Sequence, residues 1–272
     1  MQQFSINPVE LVIGLWRNRK LILIFSKREV LSRYRGSVLG IFWTFLNPLL
    51  MLSVYTFVFS QIFQSRWKTA NESKTEYAMV LFAGLIVFNL FAECVNRAPS
   101  LILMNVNYVK KVVFPLEILP CVSLTAALFH ALISLGVWLM AYMMLFGLPQ
   151  LTTLYLPLVI LPFMIFILGV SWLLASLGVF LRDISQFIGL VVTVLMFLSP
   201  IFYPASALPE QYRFILYLNP LTPVIEGMRA VLYWGLVPDF VMLGVYWIVT
   251  AAFAWLGFVW FQMTRKGFAD VL

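Results

Sequence analysis

The longest stretch without a charged residue sets the strongest limit on what this chain can fold into. From Ile118 to Leu181 the sequence contains no Asp, Glu, Lys or Arg. A helix needs about 20 apolar residues to cross a bilayer core about 30 Å thick, so this stretch is long enough for two crossings. Gly147-Leu148-Pro149-Gln150 lies near its middle and predicts the turn between them. The chain is therefore expected to lie largely within a membrane.

The composition extends this expectation to the whole chain. Hydrophobic residues make up 62% of the sequence and charged residues 11%, whereas soluble domains are about 45–50% apolar and about 25% charged. We therefore expect one all-α integral membrane domain over residues 1–272, with six transmembrane helices. The predicted spans are Val38 to Ser65 with a kink at Asn47-Pro48, Tyr77 to Val95, the two within Ile118 to Leu181, Ile184 to about Phe202, and Phe240 to Thr264.

The N-terminal segment, residues 1–37, is predicted to lie at the membrane surface. From Pro8 to Arg35 apolar and basic residues are mixed, and the apolar run Leu21 to Phe25 is too short to span. A segment of this kind forms an amphipathic helix that lies on the lipid headgroups. An ordinary cytoplasmic helix is the alternative interpretation.

The segment 203–239 between the last two spans is rich in proline but also contains apolar clusters. Pro209-Glu210 and Thr222-Pro223 each suit the start of a short helix, with Thr222 as the N-cap and Pro223 at the first position. We therefore predict two re-entrant half-helices on the outer side, joined at Asn219-Pro220. A plain loop with a surface ion pair is the alternative. The predicted outer gate comprises Tyr212, Leu216, Tyr217, Glu226, Arg229 and Tyr233.

The distribution of basic residues predicts the orientation. If the loops alternate between two sides, one side holds Arg66, Lys68, Lys74, Arg213 and Arg229, and the other side holds the remaining 13 of the 18 Lys and Arg residues. Basic residues accumulate on the cytoplasmic side, so both termini are expected there. The net charge of +7 is then a membrane feature, and we expect no nucleic-acid partner.

Enzyme signatures are absent from the sequence. It contains no GxxxxGK[ST], GxGxxG, HExxH or GxSxG motif, and Cys94 and Cys121 lack metal-binding spacing. We therefore expect no catalytic residue, metal or cofactor in this chain, and the two thiols are expected to be buried and inert. His130 is the only titratable group well inside a span, and hydrogen-bonded packing explains it better than a proton relay, so an ion gradient is a poor energy source.

Five sequence stretches, in order, resemble the type-two ABC exporter permeases, and within them the branch that exports O-antigen, capsule and teichoic acid polymers. The resemblance covers nearly the whole chain. The stretches are Arg33 to Trp43 with its continuation to Phe59, Lys110 to Pro115, Leu181 to Ile184, Leu198 to Tyr203, and Asn219 to Pro223 leading to Glu226 and Arg229.

This resemblance implies a homodimer in the bacterial cytoplasmic membrane, with each subunit docked on a separate ABC ATPase chain that holds ATP and Mg. The implied substrate is a polysaccharide linked to a polyprenyl diphosphate. A type-two permease for a drug or lipid is the alternative within transport. A membrane enzyme acting on polyprenol lipids is the alternative from another class, but the acidic groups Glu10, Glu29 and Asp183 are scattered along the sequence.

Two kinds of residue are predicted to contact such a substrate. Arg33 and Arg35 precede the first span at headgroup depth, where guanidinium groups suit a lipid diphosphate or couple the first span to the ATPase; ordinary positive-inside anchors are the alternative. Aromatic rings stack on the C–H faces of sugars, although lipid-facing packing also explains aromatics in spans. The predicted sugar-contacting aromatics are Phe42, Trp43, Phe45, Tyr55, Phe59 and Phe197.

Overall fold

The computed structural model describes residues 6–58, 74–110 and 114–272, without the side chains of Lys74 and Tyr217. The described residues are largely helical and include no strand. The helices are α1 (Pro8–Arg17), α2 (Arg19–Arg33), α3 (Trp43–Phe57), α4 (Lys74–Arg97), α5 (Val106–Lys110), α6 (Leu119–Phe146), α7 (Leu156–Phe180), α8 (Ile184–Leu198), α9 (Arg213–Leu218), α10 (Thr222–Arg229), α11 (Phe240–Thr264) and α12 (Phe268–Val271).

Five helical stretches of the described chain are long and apolar enough to cross a membrane. Each corresponds to a predicted span, so the all-helical membrane fold is confirmed. The stretches are Gly40–Phe57, Thr75–Ser100, Leu116–Phe146, Leu151–Phe180 and Phe240–Val271. Between Phe146 and Leu151 the chain reverses at Gly147, whose φ of +93° favours glycine, as the sequence predicted. The last part of the first predicted span, residues 59–65, lies outside the described residues.

The fifth predicted span, Ile184 to about Phe202, is shorter than expected. Helix α8 ends at Leu198 after 15 residues, a length of about 22 Å. Pro200 has no backbone N–H to continue the helix, and the hydroxyl of Ser199 donates a hydrogen bond back to the Leu195 carbonyl at 2.6 Å. The described chain thus contains five long apolar helices and one shorter apolar helix, and the count of six spans stays a prediction.

The N-terminal segment forms two helices, α1 and α2, that meet at Asn18. Helix α2 packs against α6, where the hydroxyl of Ser26 donates to the Val122 carbonyl at 3.2 Å. Leu21, Ile22 and Phe25 pack on the adjacent buried cluster. On α1, by contrast, Val9, Val12, Ile13 and Trp16 are exposed, which leaves an apolar surface uncovered by the chain.

Helix α4 lies at the centre of the bundle. Its side chains dominate the main apolar cluster, which α6, α7, α8 and α10 complete. Helix α2 lies near the end of α4 at Arg97, and α10 packs near its opposite half. We call these the α2 end and the α10 end of the bundle.

Helices α7 and α11 approach so closely that only glycine fits at the crossing. A Cβ atom on Gly257 would lie 2.3 Å from the carbonyl oxygen of Gly169, and a Cβ on Gly169 would lie 2.6 Å from the Cα of Ala254. Membrane helices use small residues in this way because close backbone contact replaces the hydrophobic driving force that water would supply.

We predict that Gly257→Ala destabilises the protein by about 2 kcal/mol, because the added methyl group meets backbone that cannot rotate away. Thermal unfolding in detergent measures the effect. The control is Gly244→Ala on the same helix, where nothing lies within 4 Å of the added Cβ. Equal melting temperatures for the two variants would show that the crossing relaxes freely.

Candidate functional site

A polar cavity of about 630 Å³ lies between α3, α4 and α6, and it reaches the end of α2. Its lining includes Arg33 and Tyr34 after α2, Asn47 of α3, Glu93 of α4 and His130 of α6. Charged and amide groups are rare inside membrane spans because burying them in hydrocarbon is costly, so their presence together indicates a functional site. This cavity is the candidate site.

The carboxylate of Glu93 is the centre of the charged part of the cavity. Its Oε1 atom lies 2.9 Å from Nη1 of Arg33 and 3.1 Å from Nδ1 of His130. The hydroxyl of Tyr34 lies 3.2 Å from the other ring nitrogen of His130. With a proton on Nδ1, His130 donates to Glu93 and accepts from Tyr34, so both ring nitrogens have partners within the protein.

A second ion pair links the same two helices. Nη1 of Arg97 lies 2.7 Å from Oε1 of Glu29. Glu29 and Arg33 are four residues apart on α2, and Glu93 and Arg97 are four apart on α4, so each charge on one helix faces its opposite on the other. Burial raises the pKa of the Glu29 carboxyl, and Arg97 partly offsets that rise. The pairs hold α2 against α4 at the α2 end.

The predicted substrate residues are dispersed in the structure. Arg33 lines the cavity, whereas Arg35 lies exposed in the following turn. Among the described aromatics, Phe42, Phe45 and Phe197 are exposed, Trp43 is half-buried, and half-buried Tyr55 packs against the main core. None of these rings lines the cavity, and Phe59 lies outside the described residues. Their contact with sugar stays a prediction.

The sequence did not predict that three polar residues of α4 line one cavity. Asn89, Glu93 and Asn96 recur at intervals of four and three residues, which places them on one helix face. This periodicity is visible in the sequence, within a span that is apolar on average. His130 was noticed, yet its partners come from helices distant in sequence.

At the α10 end, Arg229 connects three elements. Its side chain is fully buried. Nε donates to the Val80 carbonyl at 3.0 Å, Nη1 donates to the Pro200 carbonyl and to Glu226 at 3.0 Å, and Nη2 donates to the Ile201 carbonyl at 2.8 Å. The predicted pairing of Glu226 with Arg229 is thus present, but most partners of the guanidinium are backbone carbonyls of α4 and of the turn after α8.

Asn219 fixes the predicted joint between the two short helices. Its Nδ2 donates to the hydroxyl of Ser199 at 2.9 Å, and its Oδ1 accepts from the backbone N–H of Leu221 at 2.9 Å. Helix α10 begins at Thr222 itself, with Leu221 as the N-cap and no capping bond from the Thr222 side chain. The amide of Asn219 makes the local turn where the hydroxyl of Thr222 was expected to cap.

The remaining predicted gate residues differ in environment. Tyr212 is half exposed, and Leu216 is buried. The ring of Tyr233 packs edge-on against Tyr142 and Phe146, and the Tyr217 side chain lies outside the described residues. A gating role for this group stays a prediction.

No group of His, Cys, Asp or Glu within the described ranges has the arrangement of a metal site. Cys94 and Cys121 are buried, as expected. The side chains of the cavity offer hydrogen bonds and ion pairs, which suit binding of a polar or anionic molecule.

Long apolar helices packed around a polar, charged cavity define a membrane transport protein. The sequence matches the family model described as ABC-2 type transporter over residues 20–233. The chain belongs to this family.

Similar curated proteins are named as O-antigen export system permeases. The chain is 28% identical over 264 residues to "O-antigen export system permease protein RfbA" of Myxococcus xanthus, covering 96% of this chain and 99% of that protein. It is 26% identical over 254 residues to a protein of the same name from Klebsiella pneumoniae, covering 93% and 95%.

We predict that Arg229→Lys destabilises the protein by about 3 kcal/mol. Lysine keeps the charge, but its single ammonium group cannot reach carbonyls on both α4 and the turn after α8, and unpaired carbonyls remain buried. Thermal unfolding in detergent measures the loss.

The matched control is Arg213→Lys, since within the described part of the chain Arg213 makes only a 3.6 Å pair with an exposed Glu210 and a bond to one backbone carbonyl. A melting temperature for Arg229→Lys equal to that of Arg213→Lys would contradict the role of the guanidinium as a connector.

Proposed function

We propose that this chain is the transmembrane subunit of an ATP-driven exporter that moves a polyprenyl-diphosphate-linked polysaccharide, most specifically an O-antigen, across the bacterial cytoplasmic membrane. The observation that carries the proposal is the polar cavity with Arg33 and His130 at its α2 end. Relatives named as O-antigen export permeases, aligned over nearly the whole chain, support the choice of substrate.

The proposed complex contains two copies of this chain and two ABC ATPase subunits. The sequence has no P-loop, so ATP and Mg would bind to the partner. In the proposed orientation both termini and the α2 end face the cytoplasm, because 13 of the 18 basic residues belong to that side. The α10 end then faces outward, which is where re-entrant helices would form an exit.

The ion pair between Arg33 and Glu93 suits exchange with an anionic headgroup. The Arg33 side chain is 44% exposed, and an ion pair of that exposure contributes only about 0–1 kcal/mol. A diphosphate offers more negative charge and more acceptor oxygens than a carboxylate, and guanidinium binds it through two parallel hydrogen bonds. We propose that the diphosphate takes the place of the Glu93 carboxylate on Arg33.

This exchange would loosen α2 at one of its two ion pairs. The pair between Glu29 and Arg97 remains, while the end of α2 nearest α3 is released from α4. Helix α2 lies at the proposed cytoplasmic side and leads into α3, so it is placed to link an ATPase to the first span.

We predict that the purified chain alone has no ATPase activity and that co-expression with its ATPase gives a two-plus-two complex. Light scattering coupled to size-exclusion chromatography measures the stoichiometry, and phosphate release measures turnover. ATP hydrolysis by permease free of partner would refute the assignment.

We predict that Arg33→Gln lowers export about tenfold, because the loss of one charge-assisted contact to the diphosphate costs more than 1 kcal/mol. The measurement is the rate at which surface polysaccharide appears after induction in a strain lacking the chromosomal copy.

Arg35→Gln is the matched control, since Arg35 lies outside the cavity. A loss of export as large as that of Arg33→Gln would extend the site to both arginines. Glu93→Gln is the control in which binding of the diphosphate should become stronger instead of weaker. It removes the competing carboxylate, so detergent-purified complex should bind farnesyl diphosphate more tightly, with farnesol as the negative probe. Wild-type export by Arg33→Gln would reduce this residue to a topology anchor.

A further inference from the structure

Helix α4 is buried along almost its whole length, and its exceptions share one chemistry. Between Thr75 and Arg97, all of which the structure describes, only Asn89 and Asn96 are exposed; the other side chains are buried or half-buried. A central membrane helix usually leaves apolar side chains at its open positions. Here both open positions hold an amide.

These amides have no partner among the described residues. Neither Asn89 nor Asn96 makes a side-chain hydrogen bond there, and the same is true of Asn47 on α3, which lines the same cavity. An amide left without hydrogen bonds in hydrocarbon costs at least about 1–3 kcal/mol. Three such groups facing one cavity therefore indicate that the cavity holds polar material.

The amides form a strip that continues the charged cluster. Asn89 and Asn96 are seven residues apart, which is two helical turns or about 10 Å along one face. Glu93 lies between them and holds Arg33 and His130. Asn96 is on the α2 side of the cluster, and Asn89 is on the α10 side.

We propose that Asn89, Asn96 and Asn47 bind the hydroxyl groups of the sugars next to the lipid diphosphate. This inference rests on the proposed function. An amide has two N–H donors and one carbonyl acceptor, which complement hydroxyl groups that both donate and accept. The charged groups beside them bind the phosphates, so a glycan attached to that diphosphate meets the amides first.

The strength of these contacts suits a moving chain. A neutral hydrogen bond contributes about 1 kcal/mol net, so each sugar exchanges its amide partners readily as the next sugar arrives. Charged contacts would hold more tightly. Among the described residues, none of the aromatic side chains predicted to contact sugar lines the cavity, whereas the three amides do.

A second copy of this chain is the other group able to satisfy these amides, since asparagines also hydrogen-bond between membrane helices. The two possibilities differ in what a substitution changes. Loss of a sugar contact reduces export and leaves the dimer intact, whereas loss of a helix contact weakens the dimer.

The first test measures export by the full complex in a strain lacking the chromosomal copy. We expect the double variant Asn89→Leu and Asn96→Leu to lower the rate of surface polysaccharide appearance about tenfold, in line with two lost hydrogen bonds. Asn89→Gln and Asn96→Gln keep the amides and should retain most activity. Val245→Leu, on an exposed apolar position of α11, is the control for added bulk.

The second test measures access to the strip. Single cysteines at Asn89 and Asn96, in a Cys94→Ala and Cys121→Ala background, should react with a small membrane-impermeant thiol reagent in inverted vesicles. Vesicles from cells that make the native lipid-linked polysaccharide should react more slowly than vesicles from cells in which its synthesis is blocked. A cysteine at buried Leu90 should stay unreactive in both.

The outcomes separate the possible failures. If the wild-type chain restores no surface polysaccharide, the proposed function fails. If the wild-type chain does restore it, either of two results overturns the sugar-contact assignment. One is normal export by the double leucine variant, and the other is a rate of cysteine labelling that is the same with and without the glycan. Dissociation of the double leucine variant into single permease subunits overturns it in favour of an interface between copies.

Discussion

The buried guanidinium of Arg229 is the contact on which the α10 end depends. Hydrocarbon offers no hydrogen bonds, so the carbonyl groups exposed where α8 stops must find partners inside the protein. The guanidinium of Arg229 donates hydrogen bonds to the carbonyls of Pro200 and Ile201 and to the Val80 carbonyl of α4. Gly84 provides the space for the guanidinium, since a Cβ at this position would lie 3.0 Å from Nη2 of Arg229. Irregular backbone therefore persists beside the spans because one side chain satisfies it.

The two arginine sites of the protein use the same group in opposite ways. Arg229 is fully buried and has its hydrogen bonds within the chain, so it holds a fixed structure. Arg33 is 44% exposed and faces one carboxylate beside an open cavity. A group whose partner is weakly held can exchange it for a ligand. The two residues are both arginines, and burial distinguishes the structural one from the one proposed to bind substrate.

The sequence predicted the parts of the fold that depend on local chemistry. Charge-free runs located the long helices, and the turn at Gly147 followed from its neighbours. The irregular backbone after α8 was missed because Asn219 and Arg229, which hold it, come from distant positions in the sequence. The site was predicted only through Arg33. Its partners Glu93 and His130 lie far along the chain, and contacts between distant positions do not follow from hydropathy.

The short helix α8 has a consequence for the lipid around it. At about 22 Å it falls roughly 8 Å short of an average hydrocarbon core. A bilayer adjusts to such a helix by thinning locally, at a modest elastic cost. The leaflets beside α8 are therefore expected to approach each other. A proline and a serine that end one helix thus set the thickness of the bilayer beside it.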